Sequence, residues 1–90
     1  MGGEPLCDEN VFLTYLIINE VKEKLPDTKV YVWTGYLYED LLQRKHPQVL
    51  GVLNLADVLI DGPYIDEERD ISLFMRGSRN QKIIDLKEKK

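Results

Sequence analysis

Cysteine is nearly absent from this sequence. Cys7 stands alone among 90 residues, which excludes an internal disulfide and any site built from several thiolates of one chain. Histidine is as scarce. His46 has no second imidazole to share a metal with, and its place before Pro47 marks a helix end. No apolar run approaches the ~18–20 residues that cross a bilayer, and residues 1–7 hold neither a basic stretch nor an apolar signal core. A cytoplasmic protein with no membrane contact is expected. Positive charge is in deficit, 12 Lys and Arg against 16 Asp and Glu, so no basic face is offered to nucleic acid. The one basic cluster, Lys87 to Lys90, is broken by Glu88 and reads as a solvated terminus. Repeats and low-complexity segments are missing as well.

What is present suits one small α/β domain. Apolar residues make up 43% and charged residues 31%, which argues against disorder. A helix is expected over 8–25. Asp8 can cap it, Glu9 adds negative charge to its first turn, and Pro26 stops it. Val11, Thr14, Ile17, Ile18, Val21 and Leu25 form its apolar stripe. Phe12 and Leu16 lie off that stripe, so the first half of the helix is apolar on two sides.

Residues 29–34 read as a strand, with Val30, Tyr31, Val32 and Trp33 apolar on both faces, as a central parallel strand would be. On that reading Tyr31 and Trp33 are core packing rather than a binding platform. Gly35 ends the strand. A short amphipathic helix follows over 37–45, then a brief turn or helix over 48–53. Residues 57–61 form a second buried strand, closed by Asp61-Gly62-Pro63. A long polar stretch, 65–81, leads to a third strand over 82–86. This order predicts about three mostly parallel strands, with those at 29–34 and 57–61 adjacent and linked by a right-handed crossover. Sites in such folds gather at the carboxyl ends of the strands, here Thr34-Gly35-Tyr36 and Asp61-Gly62-Pro63.

The segment Met1-Gly2-Gly3-Glu4-Pro5-Leu6 would reach the same edge. Its two glycines allow close backbone approach to a ligand, and Glu4 offers an acceptor to an ammonium group. The segment resembles the Ser-Gly-Gly-Glu-Pro-Leu stretch of radical S-adenosylmethionine enzymes. Trp33-Thr34-Gly35-Tyr36 with Glu39-Asp40-Leu41-Leu42, then Asp57 through Ile65, then Arg76 through Asp85, resemble in order three further motifs of the activases of anaerobic ribonucleotide reductase.

The resemblance implies a partial (β/α) barrel layer and an oxidoreductase that makes a glycyl radical on the reductase large subunit. It implies S-adenosylmethionine and a 4Fe-4S cluster as cofactors. It assigns cofactor binding to Gly2, Gly3, Glu4, Pro5, Thr34 and Asp61. The Gly77, Ser78, Asn80 and Gln81 loop becomes a signature for an anion or a partner chain.

The family holds its cluster through Cys-x3-Cys-x2-Cys upstream of the Gly-Gly-Glu segment, and no counterpart stands in these 90 residues. The expectation is therefore one truncated domain, 1–90, without the cluster-binding segment. By itself it would hold no cluster and leave S-adenosylmethionine uncleaved, and it would self-associate through the exposed edge. The alternative is a non-catalytic domain that docks on the reductase. With its strand removed, Glu4 reads in this chain first as a solvated residue, and Asp61 could equally be a turn cap and residues 77–81 a polar surface loop.

Overall fold

The computed structural model describes residues 4–70, 72–73 and 75–87. Gly2 and Gly3 lie outside them. The element order is α1 (Val11–Lys24), β1 (Tyr31–Trp33), α2 (Tyr38–Arg44), α3 (Pro47–Leu55), β2 (Val58–Asp61), a 3-10 turn (Asp66–Glu68) and β3 (Lys82–Asp85).

The strands form one sheet in the order β1-β2-β3. β1 and β2 are parallel neighbours, with Val32 beside Leu59, as the apolar runs and the helical crossover predict. The third strand departs from expectation. β3 runs antiparallel to β2, with Asp61 opposite Lys82 and Leu59 opposite Ile84. The sheet is therefore mixed. The physical reason lies in the connection. A parallel return needs an element that carries the chain back to the other end of the sheet. Residues 62–81 contribute only one 3-10 turn among those described, so the chain re-enters at the end where it left.

One face of the sheet carries the core. Val32, Leu59 and Ile84 lie side by side across the three strands and pack on Leu6, Val11, Ile18, Leu41, Val49 and Val52. Burying each such side chain contributes about 1.5–3 kcal/mol. On the other face Ile60 is fully buried, but Tyr31 and Trp33 remain 38% and 48% exposed. The expectation that these two aromatics are core residues is thus overturned. β1 is an edge strand here, so its outward face lacks the cover a central strand receives. Their rings stack on each other, centroids 6.4 Å apart.

α1 begins at Val11, later than expected, because residues 5–10 form turns. Asp8 does not cap it and instead pairs with Arg44 at 2.6 Å. The Asn10 side chain turns back to donate to Glu4 O at 2.9 Å. Ile17 and Leu25, expected on the buried stripe, are exposed together with Phe12, Leu13 and Leu16. The buried side of α1 is centred on Val11 and Ile18. The stretch expected as a turn or short helix is α3, opened by Pro47 and capped by His46, whose Nδ1 accepts from Gln48 N–H at 3.2 Å. No described helix is long and apolar enough to cross a membrane.

Candidate functional site

Beyond the carboxyl end of β1 the backbone N–H of Gly35 has no strand to pair with, and the carboxylate of Glu4 takes it. Glu4 Oε1 accepts from Gly35 N at 2.7 Å. Its Oε2 accepts from the Thr34 hydroxyl at 2.5 Å and from Leu6 N at 3.1 Å. Thr34 is buried and also accepts from Tyr36 N at 3.2 Å. The segment after Glu4 is held from the far side by Arg44, which donates to Leu6 O at 3.1 Å and lies over the Tyr36 ring at 5.3 Å.

Glu4 therefore reaches across the chain to fix its segment on the strand end. A carboxylate has about four acceptor positions. Three are used by described donors, which leaves room for one more.

An open cleft of about 340 Å³ lies against this carboxylate, lined by Glu4, Pro5, Trp33, Thr34, Gly35, Gly62, Tyr64 and Gln81. Four residues singled out from the sequence, Glu4, Pro5, Thr34 and Gln81, thus meet in one place. Gly35 and Gly62 come from the two strand ends where a site was expected, and Trp33 and Tyr64, to which no site role was assigned, complete it. The signal for Trp33 was the strand alternation, which sets it opposite to Val32. Tyr64 lies in the Asp57 through Ile65 motif, but nothing there marks it as a site residue. The Tyr64 phenol is pushed up from its ordinary pKa, first by burial and then by its hydrogen bond and proximity to Asp66, so it stays a protonated donor at neutral pH.

Asp61 faces away from the cleft. Its carboxylate is fully buried. Oδ2 accepts from Tyr38 N, the first residue of α2, at 2.8 Å, and Oδ1 from Lys82 N at 3.3 Å. Lys82 Nζ stands 3.7 Å from Oδ2 and 3.3 Å from Glu39. The Glu39 hydrogen bond, followed by the charge of Asp61, raises the lysine pKa. Asp61 thus ties a strand end to a helix start.

The 77–81 loop is organised around one amide. Gln81 Oε1 accepts from Gly77 N at 2.9 Å and Ser78 N at 3.2 Å, while Gln81 Nε2 donates to Gly62 O at 2.9 Å. Asn80 donates to Pro63 O at 2.7 Å, and the buried Ser78 hydroxyl accepts from Ile65 N at 3.2 Å. The backbone donors of Gly77 and Ser78 are engaged within the loop rather than turned to solvent. Gly62 adopts φ +95°, where a side chain would be strained and would meet Asn80 and Leu37.

A larger groove, about 730 Å³, runs along β3 beside Tyr38, Glu39, Arg76 and Lys82. None of the residues to which the resemblance gives a cofactor or partner role lines it, although Glu39, Arg76 and Lys82 to Asp85 belong to the motifs that carry the resemblance. Among the described residues no three His, Cys, Asp or Glu side chains converge as metal ligands. A 4Fe-4S cluster is held by several cysteine thiolates. This chain has Cys7 alone, so its residues do not fit that group.

The chain belongs to the 4Fe-4S single cluster domain family, whose profile matches residues 1–84. More particularly, it is similar to anaerobic ribonucleoside-triphosphate reductase-activating proteins. The identity is 42% over 80 residues with that of Haemophilus influenzae, covering 89% of this chain and 49% of the relative. It is 33% over 86 residues with that of Escherichia coli K12, covering 96% and 53%. It is 34% over 82 residues with that of Enterobacteria phage T4, covering 91% and 48%. The chain spans about half the length of the curated relatives it matches. No solved structure matches it.

Proposed function

We propose that this chain is part of an activase that generates the glycyl radical on anaerobic ribonucleotide reductase by reductive cleavage of S-adenosylmethionine. In this reading the sheet is a piece of a (β/α) barrel wall, the reductase large subunit is the partner, and the cytoplasm is the place of action. The observation that carries it is the Glu4 carboxylate, fixed on the end of β1 by Thr34 and Gly35 with acceptor capacity left beside an open cleft. An α-ammonium group such as that of the methionine moiety is the natural donor for it. Pro5 and Thr34 would shape that end of the site. Asp61 would support it from behind through α2, and residues 77–81 would form its rim toward the partner.

Reductive cleavage of S-adenosylmethionine would need one electron from outside the described residues, with Glu4 holding the ammonium end of the molecule in place. A cluster supplies that electron in the family. One cysteine does not hold a cluster, so no reductive step is assigned to these 90 residues. The same shortage favours a second reading, a non-catalytic domain that docks on the reductase.

Two measurements separate the readings. The first is titration of S-adenosylmethionine against the emission of Trp33, the single tryptophan. Binding that Glu4→Ala weakens at least tenfold supports the activase site. Absence of binding, or binding indifferent to Glu4→Ala, removes it and leaves the docking domain. The second is anaerobic reconstitution with iron, sulfide and reductant. The expected result is no stoichiometric iron and no 5′-deoxyadenosine above the free-iron background, and turnover would overturn the assignment of inactivity.

A further inference from the structure

Glu4, Pro5 and Leu6 belong to no helix and no strand, so neither a sheet ladder nor a helical turn satisfies their backbone. Side chains do so instead. Glu4 O accepts from Asn10 Nδ2 at 2.9 Å, Pro5 O from the Thr14 hydroxyl at 2.9 Å, and Leu6 O from Arg44 Nη1 at 3.1 Å. Pro5 has no N–H to place, and Leu6 N–H goes to Glu4 Oε2 at 3.1 Å. Three successive carbonyls are thus each held by a different side chain. Two come from the start of α1, four residues apart and so on one side of it, and the third from the last residue of α2.

Each donor is turned away from its ordinary local use. An Asn at a helix N-cap usually bonds the free N–H groups of its own helix, but Asn10 makes no such bond. A Thr within a helix usually bonds the carbonyl one turn before it, but Thr14 reaches back nine residues to Pro5. Arg44 is fixed by Asp8 Oδ1 at 2.6 Å and by the Tyr36 ring, whose centroid lies 5.3 Å from its guanidinium carbon. Tyr36 follows Gly35, and its N–H bonds the Thr34 hydroxyl. Arg44 therefore touches both limbs of the site, the segment that carries Glu4 and the turn that carries Gly35. None of the three donors lines the cleft.

We propose that Arg44, Thr14 and Asn10 are positioning residues for the Glu4 carboxylate. By pinning the carbonyls of residues 4–6 they hold the carboxylate on the end of β1 in one orientation. That orientation decides which acceptor position stays open. Each carboxylate oxygen has two. Oε2 has both filled, by the Thr34 hydroxyl and Leu6 N, whereas Oε1 takes Gly35 N alone. The open position is therefore on Oε1, beside the cleft. A Glu on a free segment would sample many rotamers and would have to be ordered by its ligand. A pinned one is ordered beforehand, which tightens binding. The inference rests on the activase reading for the identity of the ligand, an α-ammonium group, but not for the position of the carboxylate.

Hydrogen exchange of the Gly35 amide reads that position with no ligand present, because its bond to Glu4 Oε1 protects it. Glu4→Ala sets the unprotected rate. Arg44→Met and Thr14→Val keep side-chain bulk and remove the donors. Each should carry Gly35 most of the way to the unprotected rate while Leu59 in β2 exchanges as in the parent. Thr14→Ser, which restores the hydroxyl, should recover the protection. Should Arg44→Met fail to fold by circular dichroism, the two Thr14 variants decide alone. In the same proteins, S-adenosylmethionine titrated against Trp33 emission should bind at least about tenfold more weakly in Thr14→Val and Arg44→Met. A Gly35 amide as slow in both variants as in the parent would overturn the proposal. So would Leu59 accelerating in step with Gly35, since the three side chains would then support the whole fold, or variants that bind S-adenosylmethionine as tightly as a binding parent. A parent that ignores S-adenosylmethionine while Gly35 responds as expected counts against the activase reading and supports the positioning role.

Discussion

The hydroxyl of Thr34 donates to Glu4 Oε2 at 2.5 Å while accepting from Tyr36 N at 3.2 Å. One buried oxygen thus joins the segment before α1 to the turn that leads into α2.

Thr34→Val keeps the shape and removes that oxygen. It leaves Tyr36 N–H without its acceptor and Glu4 Oε2 with one donor fewer. The expected loss is about 1–3 kcal/mol, read from urea denaturation. Thr34→Ser should recover most of it, because the hydroxyl and not the methyl carries the bond.

Asp61→Ala should be among the most damaging single changes. It strips the acceptor from Tyr38 N and Lys82 N and removes the buried negative charge near Lys82. A loss of about 2–4 kcal/mol is expected from the missing cap and the unpaired donors together. Asp61→Asn, which retains one carbonyl oxygen, should cost less. Equal losses in the two variants would mean that charge outweighs the hydrogen bonds.

Gly51 sits in α3 where an added Cβ would lie 2.8 Å from Tyr15 Cε1. Replacing a helical glycine with alanine ordinarily gains about 1 kcal/mol. Here the clash should reverse the sign, so Gly51→Ala is expected to lower the melting temperature. In a Tyr15→Leu background the same change should become neutral or stabilising.

Acid sensitivity should trace to Asp57. Burial tends to raise its pKa, but the hydrogen bonds from Lys22 and Val30 N–H and the charges of Lys22 and Lys87 outweigh this and hold it below 3.8. A carboxylate depressed in the folded state contributes stability that is fully present above its unfolded pKa and lost as pH falls through the folded one. The contribution of the Asp57–Lys22 pair, 2.7 Å apart, should therefore persist at neutral pH and fade below about pH 4. Asp57→Asn should be less stable than the parent at pH 7, with the gap narrowing at pH 2–3. A gap that stays constant with pH would show that the bond to Val30, not the charge, is what matters.

The strands legible in the sequence were those whose character is local. Val30 to Trp33 and Val58 to Ile60 are apolar enough to be strands in any setting, and the helices between them force a crossover, so their parallel pairing followed. The direction of β3 did not follow, because it depends on whether residues 65–81 carry the chain across the sheet or turn it back. That choice is made by Gln81, Asn80 and Ser78 reaching the 62–65 segment. The exposure of Tyr31 and Trp33 was hidden for a related reason. Whether a strand is central or at an edge depends on its neighbours and not on its own residues. At the site, Glu4, Pro5, Thr34 and Gln81 could be named from motifs. The outward turn of Asp61 from the cleft could not, since both its readings place it at the same strand end.

The single amide of Gln81 that binds Gly77, Ser78 and Gly62 also sets how the chain breathes. The described residues between Gly62 and Asn80 are tied down by that side chain and by bonds such as Asn80 to Pro63 and Ile65 to Ser78 rather than by a packed helix, so they should open at lower cost than the sheet. The amides of Gly77 and Ser78 should then exchange with solvent at a common rate, well above that of Leu59. On that expectation the mouth of the cleft and its floor would belong to different cooperative units. A ligand that bridges them, touching Gln81 or Tyr64 on one side and Glu4 on the other, would be felt as slowed exchange throughout the loop.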